Sequence, residues 1–158
     1  MVKTNAKSRA RWLAEQLEIA PQIQLADIGA RMMKGDPFYS ALLDFGLVQM
    51  HGFEPEPIAF EALKAAAGPN MTVYPTAVGK PGPATFYAHH IGSLSSVFKI
   101  KAAAAYFLGK SFWVQRPITE HDMTLVALDE IADFPDLDIL KMDTQGAELD
   151  ILQGARRT

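Results

Sequence analysis

The chain of 158 residues contains no cysteine, which excludes a disulfide framework, a thiolate metal site and a redox-active thiol. Its longest purely apolar run, Ala102 to Leu108, is far too short to cross a bilayer. The basic residues near the N-terminus are not followed by the apolar segment of a secretory signal. We therefore expect a cytoplasmic protein that has no membrane partner.

An excess of charge of one sign is also lacking. The formal net charge is −3, and nothing in that balance favours a phosphate backbone. We therefore expect no nucleic-acid partner. Hydrophobic residues make up 49% of the chain, which is ordinary for a globular domain with a core.

Apolar runs alternate with helical segments in the first half of the chain. Buried strands are predicted over Ile23–Ile28, Leu47–Phe53 and Met71–Val78, because each is a short apolar run bounded by glycine or proline. Helices are predicted from Asp36 to about Phe45 and from Ile58 to Ala67. This β-α-β-α-β order predicts an α/β fold with a doubly wound, mainly parallel sheet.

The remaining segments are less regular, and the pattern divides the chain into a helical segment, 1–22, and a cofactor-binding domain, 23–158. An amphipathic helix is predicted over Lys7–Ile19, with Trp12 as a packing residue. The other predicted elements are a strand over Ala84–His90, a helix over Ser96–Leu108 with Val97, Ile100 and Phe107 in the core, an extended segment over Phe112–Val126 that is interrupted at Pro117, a fourth buried strand over Leu137–Met142, and a helix from Ala147 to about Gln153.

The ligand site is expected beyond the carboxyl ends of the parallel strands, where ligands bind in open α/β sheets. The polar residues there are found in four blocks: Asp27 to Ala30, Glu54 and Pro55, Thr76 to Gly79, and Asp143 to Gly146. A carboxylate at the end of the second strand can accept hydrogen bonds from both hydroxyls of a ribose. The four blocks therefore predict a nucleoside cofactor.

The first turn distinguishes between nucleoside cofactors. A dinucleotide-binding turn needs G-x-G-x-x-G, whereas here no glycine lies between Gly29 and Gly35. Asp27 would also repel a pyrophosphate, while S-adenosylmethionine carries a sulfonium, an amine and no phosphate. S-adenosyl-L-methionine is therefore the predicted cofactor, and a nicotinamide-dependent oxidoreductase is the alternative.

Four blocks, in order, resemble the FkbM-type methyltransferases: Asp27 to Ala30, Gly52 to Pro57, Ala77 to Gly79, and Leu140 to Leu149. The resemblance implies a Rossmann-like class I methyltransferase that transfers a methyl group from S-adenosylmethionine, usually to a hydroxyl oxygen. By that resemblance, Asp27, Gly29 and Ala30 line the methionine end of the cofactor, and Glu54 with Pro55 holds the ribose. Thr76, Ala77 and Val78 lie near the adenine, and Asp143 faces the transferring methyl or the acceptor.

The chain departs from this family in three places. Arg31 to Lys34 interrupt the usual glycine-containing first turn, and Gln145 stands where glutamate is common. The chain also ends one helix after the fourth parallel strand, although such sheets usually carry seven. We therefore expect a truncated chain, or a partner such as a second copy that covers the exposed sheet edge.

Methyl transfer to oxygen requires a base for the hydroxyl proton, and the candidates are His89, His90 and Asp143. The alternatives are a solvated loop for the two histidines and a helix cap for Asp143. His51 is expected to have no catalytic role, and no histidine spacing suits a catalytic metal. The predicted substrate is a hydroxyl on a small molecule or sugar; a non-catalytic remnant of the fold is a further alternative.

Overall fold

The computed structural model describes residues 8–9, 12–13, 16, 23–31 and 35–158. It divides into two compact units, Met1–Pro75 with Pro135–Lys141 and Thr76–Phe134 with Met142–Thr158. Each unit has its own sheet and is described by itself. The predicted boundary between residues 22 and 23 stays a prediction.

The first unit is built on a four-stranded sheet in the order β3-β2-β1-β7. Its elements are β1 (Ile23–Ile28), α1 (Ser40–Asp44), β2 (Val48–Phe53), α2 (Pro57–Ala66), β3 (Met71–Tyr74) and β7 (Ile139–Met142). β1, β2 and β3 pair in parallel, with Asp27 opposite Gly52 and Phe53 opposite Tyr74. The predicted β-α-β-α-β order and the mostly parallel α/β sheet are therefore confirmed.

The core of this unit is formed by the apolar residues of β1 and β2. Leu25 and Val48 have no exposed surface, and Met50 is nearly as buried. α2 closes one side of the core through Leu63, and its first turn is capped by the Glu56 carboxylate, which accepts from two backbone N–H groups. Burial extends along most of both strands and includes the polar side chains of Asp27 and His51.

Three predicted boundaries in this unit are wrong by two residues or more. The fourth strand begins at Ile139 rather than Leu137. The first helix begins at Ser40 rather than Asp36, because a turn over Phe38 and Tyr39 precedes it and places Tyr39 in the core. The third strand ends at Tyr74 rather than Val78. Pro75 follows it, and proline has no backbone N–H to continue the ladder of hydrogen bonds.

The second unit has a three-stranded sheet in the order β4-β6-β5. Its elements are β4 (Ala77–Val78), β5 (Gly82–Ala88), α3 (Ala102–Phe107), β6 (Thr119–Val126) and α4 (Glu148–Gln153), with short 3-10 turns at Gly92–Leu94, Ser111–Val114 and Leu128–Glu130. β4 is parallel to β6, whereas β5 is antiparallel to it. The predicted added strand and last helix are confirmed with slightly shifted ends.

The middle of the chain differs most from the prediction. Only Ala102–Phe107 is α-helical within the predicted helix over Ser96–Leu108, and Phe107 is 90% exposed instead of lying in the core. Val97 and Ile100 are half-buried. The predicted extended segment begins instead as the 3-10 turn Ser111–Val114. The predicted interruption at Pro117 is confirmed, because the strand begins at Thr119.

The N-terminal helix is only partly within the described residues. Ser8, Arg9, Trp12, Leu13 and Gln16 are helical, and the rest of the predicted helix over Lys7–Ile19 lies outside them. Trp12 is 61% exposed, so the predicted packing role is wrong. Within the described residues, no helix combines the length and apolarity needed to cross a membrane.

Candidate functional site

Asp27 is a buried carboxylate at the carboxyl end of β1, in the first unit. The Tyr39 hydroxyl donates to its Oδ2 at 2.5 Å, and the Lys141 ammonium lies 2.8 Å from its Oδ1. The latter contact is an ion pair without the angle of a hydrogen bond, so Oδ1 has no aligned donor among the described residues. Burial, together with the hydrogen bond to Asp27 and its charge, raises the pKa of Tyr39 and keeps this phenol protonated.

The turn after β1 is closed by its own backbone. Gly29 has a φ of +81°, a conformation that glycine adopts without steric cost, and it turns the chain away from the sheet. The N–H groups of Gly29 and Ala30 both donate to the carbonyl of Phe53, at 3.0 Å each. These two donors are therefore already used. Met32, Met33 and Lys34, part of the family departure, lie outside the described residues.

Glu54 follows β2 directly and is 4% exposed. Its Oε1 accepts from the backbone N–H of Glu56 at 2.9 Å, and no hydrogen bond reaches Oε2 from the described residues. Burial raises the pKa of this carboxyl, although the Glu56 hydrogen bond and the charge of Arg31 act in the opposite direction. Pro55 is half-buried beside it. One oxygen is thus fixed, and the other remains a possible acceptor.

The residues predicted near the adenine belong to the second unit. Ala77 and Val78 form β4, pair with Leu125 and Val126 of β6, and are buried, while Thr76 is half-buried. They do not continue β3, so the prediction that this segment forms the end of the third parallel strand is wrong. The physical reason is the break at Pro75.

The loop after β7 holds the exposed Asp143. Its Oδ1 accepts from the side-chain amide of Gln145 at 2.8 Å, and it does not cap the following helix. A glutamate at position 145 would repel this carboxylate, whereas the amide donates to it. Gln145 lies in the left-handed region with a φ of +56°.

Two other side chains hold this loop in place. The Glu148 carboxylate accepts from the backbone N–H groups of Thr144 and Gly146 and from the Thr144 hydroxyl. The buried Ser96 hydroxyl lies within hydrogen-bond distance of the carbonyls of Thr144 and Gln145. These contacts give Glu148 a structural role in the loop, and the Ser96 hydroxyl is a second support.

The two candidate histidines differ in their surroundings. His89 is buried: the Ile91 N–H donates to its Nδ1 at 2.9 Å, so Nε2 carries the proton and donates to the Trp113 carbonyl. Both ring nitrogens therefore hold the loop together, and His89 is not a surface histidine. His90 is exposed, and partial desolvation with the charges of His89 and Arg116 lowers its pKa.

Asp27 forms a cluster with Tyr39 and Lys141, which is called the Asp27 cluster below. Tyr39 and Lys141 were missed by the sequence analysis. Lys141 offered a signal, because it is a charged residue inside a strand that otherwise reads as apolar. Tyr39 offered none, since its position depends on the turn before α1. In the part of the chain that the structure describes, no cluster of three or more metal-ligating side chains is found.

A family model gives independent support for the resemblance. The description of that model is the methyltransferase FkbM domain, and it matches residues 27–158, from the end of β1 to the end of the chain. No curated protein and no solved structure matches the chain. Because the match covers most of the sequence, the chain belongs to the FkbM methyltransferase family.

Proposed function

We propose that this protein transfers a methyl group from S-adenosyl-L-methionine to a hydroxyl oxygen of a small molecule or sugar. Family membership supports a methyltransferase in general. The observation that carries the choice of cofactor is Glu54, a buried carboxylate at the end of β2 with one oxygen held by Glu56 and the other unpartnered among the described residues. A ribose diol supplies the two donors that such a carboxylate accepts.

The backbone of the first turn favours a phosphate-free cofactor. In a dinucleotide site, free N–H groups of this turn bind the pyrophosphate. Here the N–H groups of Gly29 and Ala30 are both bonded to Phe53, and the Asp27 carboxylate lies beside them. Oδ1 of Asp27 can accept from an amine, so this turn suits an amino-acid end better than a pyrophosphate. An NAD-dependent oxidoreductase is correspondingly disfavoured.

When bound, S-adenosylmethionine supplies an electrophilic methyl group on its sulfonium. The protein must then orient the acceptor and remove its hydroxyl proton. Among the three predicted bases, His90 has the required properties, because it is exposed and its lowered pKa keeps the ring neutral near pH 7. Asp143 is the second candidate, and His89 is committed to its loop through both nitrogens.

Binding of S-adenosylhomocysteine, measured by isothermal titration calorimetry, tests the cofactor assignment. We expect the wild-type protein to bind it and NAD to give no signal. The Glu54→Gln variant should bind about 10- to 100-fold more weakly, because an amide replaces a charged acceptor of the ribose hydroxyls. Glu61→Gln is the matched control, since Glu61 is exposed on α2. An unchanged affinity in Glu54→Gln, or binding of NAD alone, would refute the assignment.

The acceptor class is tested by transfer of a labelled methyl group to a panel of hydroxylated metabolites. We expect product with a methylated oxygen, and a loss of about 100-fold or more in His90→Gln with donor affinity unchanged. If Asp143→Asn loses activity and His90→Gln does not, then Asp143 is the base. If no acceptor is methylated although donor binds, the non-catalytic alternative is favoured.

The cytoplasmic location and a second copy on the sheet edge stay predictions.

A further inference from the structure

Lys141 has no role in the function proposed above, yet it occupies an unusual position. It lies on β7, which is next to β1 at the edge of the first unit's sheet. Its neighbours Ile139, Leu140 and Met142 are apolar and half-buried. A lysine in such a strand must have a partner for its charge, because an unpaired ammonium is costly to remove from water.

The partner of Lys141 is Asp27. The Lys141 Nζ lies 2.8 Å from Asp27 Oδ1 and 3.5 Å from the carbonyl oxygen of Gly29. The side chain of Asp27 is 5% exposed, whereas that of Lys141 is 28% exposed. The pair therefore presents a buried negative charge and a partly accessible positive charge side by side.

This pair has capacity for further hydrogen bonds. Oδ1 of Asp27 has no aligned donor among the described residues, although the ion pair lies against it. An ammonium has three N–H donors, and the contacts of Lys141 with Asp27 and Gly29 use at most two. A buried ion pair is stabilising only when its remaining donors and acceptors are also satisfied. A ligand that supplies both an N–H donor and a carboxylate would satisfy them.

We propose that Lys141 binds the α-carboxylate of the methyl donor while Asp27 binds its α-ammonium. The amino-acid end of that molecule is a zwitterion whose ammonium and carboxylate groups are both bonded to the α-carbon. The Asp27–Lys141 pair matches it with opposite charges at neighbouring positions. Lys141 is thereby a specificity residue for an intact amino-acid end. This inference rests on the proposed function, since it assumes the same donor.

Two ligands separate this role from a general effect on the site. S-adenosylhomocysteine has both charged groups, whereas S-adenosyl-3-thiopropylamine keeps the ammonium and the nucleoside but lacks the carboxylate. We expect the wild-type protein to bind the first about 10- to 100-fold more tightly, as for a charge-assisted carboxylate contact. Equal affinities for the two ligands would overturn the inference without using any variant.

The variants make the assignment specific to Lys141. Lys141→Met should weaken S-adenosylhomocysteine about 10- to 100-fold and change the affinity for the decarboxylated analogue by less than about 3-fold. Lys141→Arg should restore most of the loss, because the guanidinium also binds a carboxylate. Lys99→Met is the matched control, since Lys99 forms an exposed ion pair with Glu120 and should affect neither ligand.

The outcomes distinguish the two levels of the argument. If the wild-type protein binds neither ligand, the proposed function fails. If it binds S-adenosylhomocysteine and Lys141→Met weakens both ligands equally, Lys141 only positions Asp27 and the carboxylate role is wrong. If Lys141→Met does not fold, the double variant Asp27→Asn with Lys141→Met is used instead, because it leaves no buried carboxylate without its ion-pair partner. This double variant should bind both ligands with similar affinity. A retained preference for S-adenosylhomocysteine in that variant would overturn the inference.

Discussion

Replacing Tyr39 by phenylalanine removes one hydroxyl from the Asp27 cluster and leaves the ring in place. The hydroxyl donates to Asp27 Oδ2 at 2.5 Å, and both residues are almost fully buried, with 4% of Tyr39 and 3% of Asp27 exposed when the whole residue is counted. Without it, the carboxylate keeps the Lys141 ion pair and loses the hydrogen-bond donor that the structure shows for its side chain. We therefore expect Tyr39→Phe to destabilise the first unit.

The magnitude follows from the type of hydrogen bond. A buried hydrogen bond to a charged group contributes about 1.5–3 kcal/mol to stability. The void that the missing oxygen atom leaves is small, so the lost hydrogen bond dominates the effect. The expected decrease in the free energy of unfolding is thus about 2 kcal/mol, measured by urea denaturation near pH 7. Tyr106→Phe serves as the control, because Tyr106 is 63% exposed and should change stability by less than about 0.5 kcal/mol.

The effect of Tyr39→Phe should also depend on pH in one direction. The pKa of Tyr39 is raised in the folded state above the ordinary 10.0, first by burial and then by Asp27. The unfolded chain therefore releases this proton first, and the stability that Tyr39 contributes is lost as the pH rises above about 10. The difference between wild type and variant should shrink there. A difference below about 0.5 kcal/mol at pH 7, or one that grows above pH 10, would refute this reasoning.

Two further predictions concern the second unit. A Cβ at Gly154 would lie 2.8 Å from the Cβ of Ala127, so Gly154→Ala should lower the free energy of unfolding by about 1–3 kcal/mol in urea denaturation. Gly68→Ala is the control and should be nearly neutral, because the space around Gly68 is open. Equal effects of the two substitutions would contradict the packing argument. Hydrogen bonds, from its own backbone N–H and then from neighbouring loop residues, lower the pKa of Glu148 below the ordinary 4.5. Its contribution is therefore present above about pH 4.5 and lost as the pH falls through the lowered pKa of the folded state. Glu148→Gln should cost about 1 kcal/mol at pH 7 and progressively less below about pH 4.5, and a pH-independent cost would count against this role.

Much of the first unit's architecture could be predicted because its signals are local. Ile23–Ile28 was predicted with the bounds that the structure shows, and Val48–Phe53 with one residue's difference. The carboxylates Asp27 and Glu54 were predicted as site residues from their place at strand ends. Those roles stay predictions until binding is measured, although the burial and hydrogen bonds of both side chains are consistent with them.

The middle of the chain could not be predicted equally well. The segment after Ser96 reads as helical by composition, yet its first residues form loop contacts, with the Ser96 hydroxyl bonded to the loop after β7. The role of His89 had no local signal either, because its partner Trp113 is separated from it by a 3-10 turn and a helix. Contacts between distant residues override weak local propensity in such segments.

The sequence by itself determined the alternation of buried strands and helices and the family of the protein, because apolar runs, their glycine and proline boundaries and the family blocks are all written locally. Only the tertiary structure decided that Ala77 and Val78 pair with a strand that follows nearly fifty residues later. It also decided that Tyr39 and Lys141 meet at the Asp27 carboxylate. A buried charge must find partners wherever the chain brings them, and no local pattern specifies which residues these are.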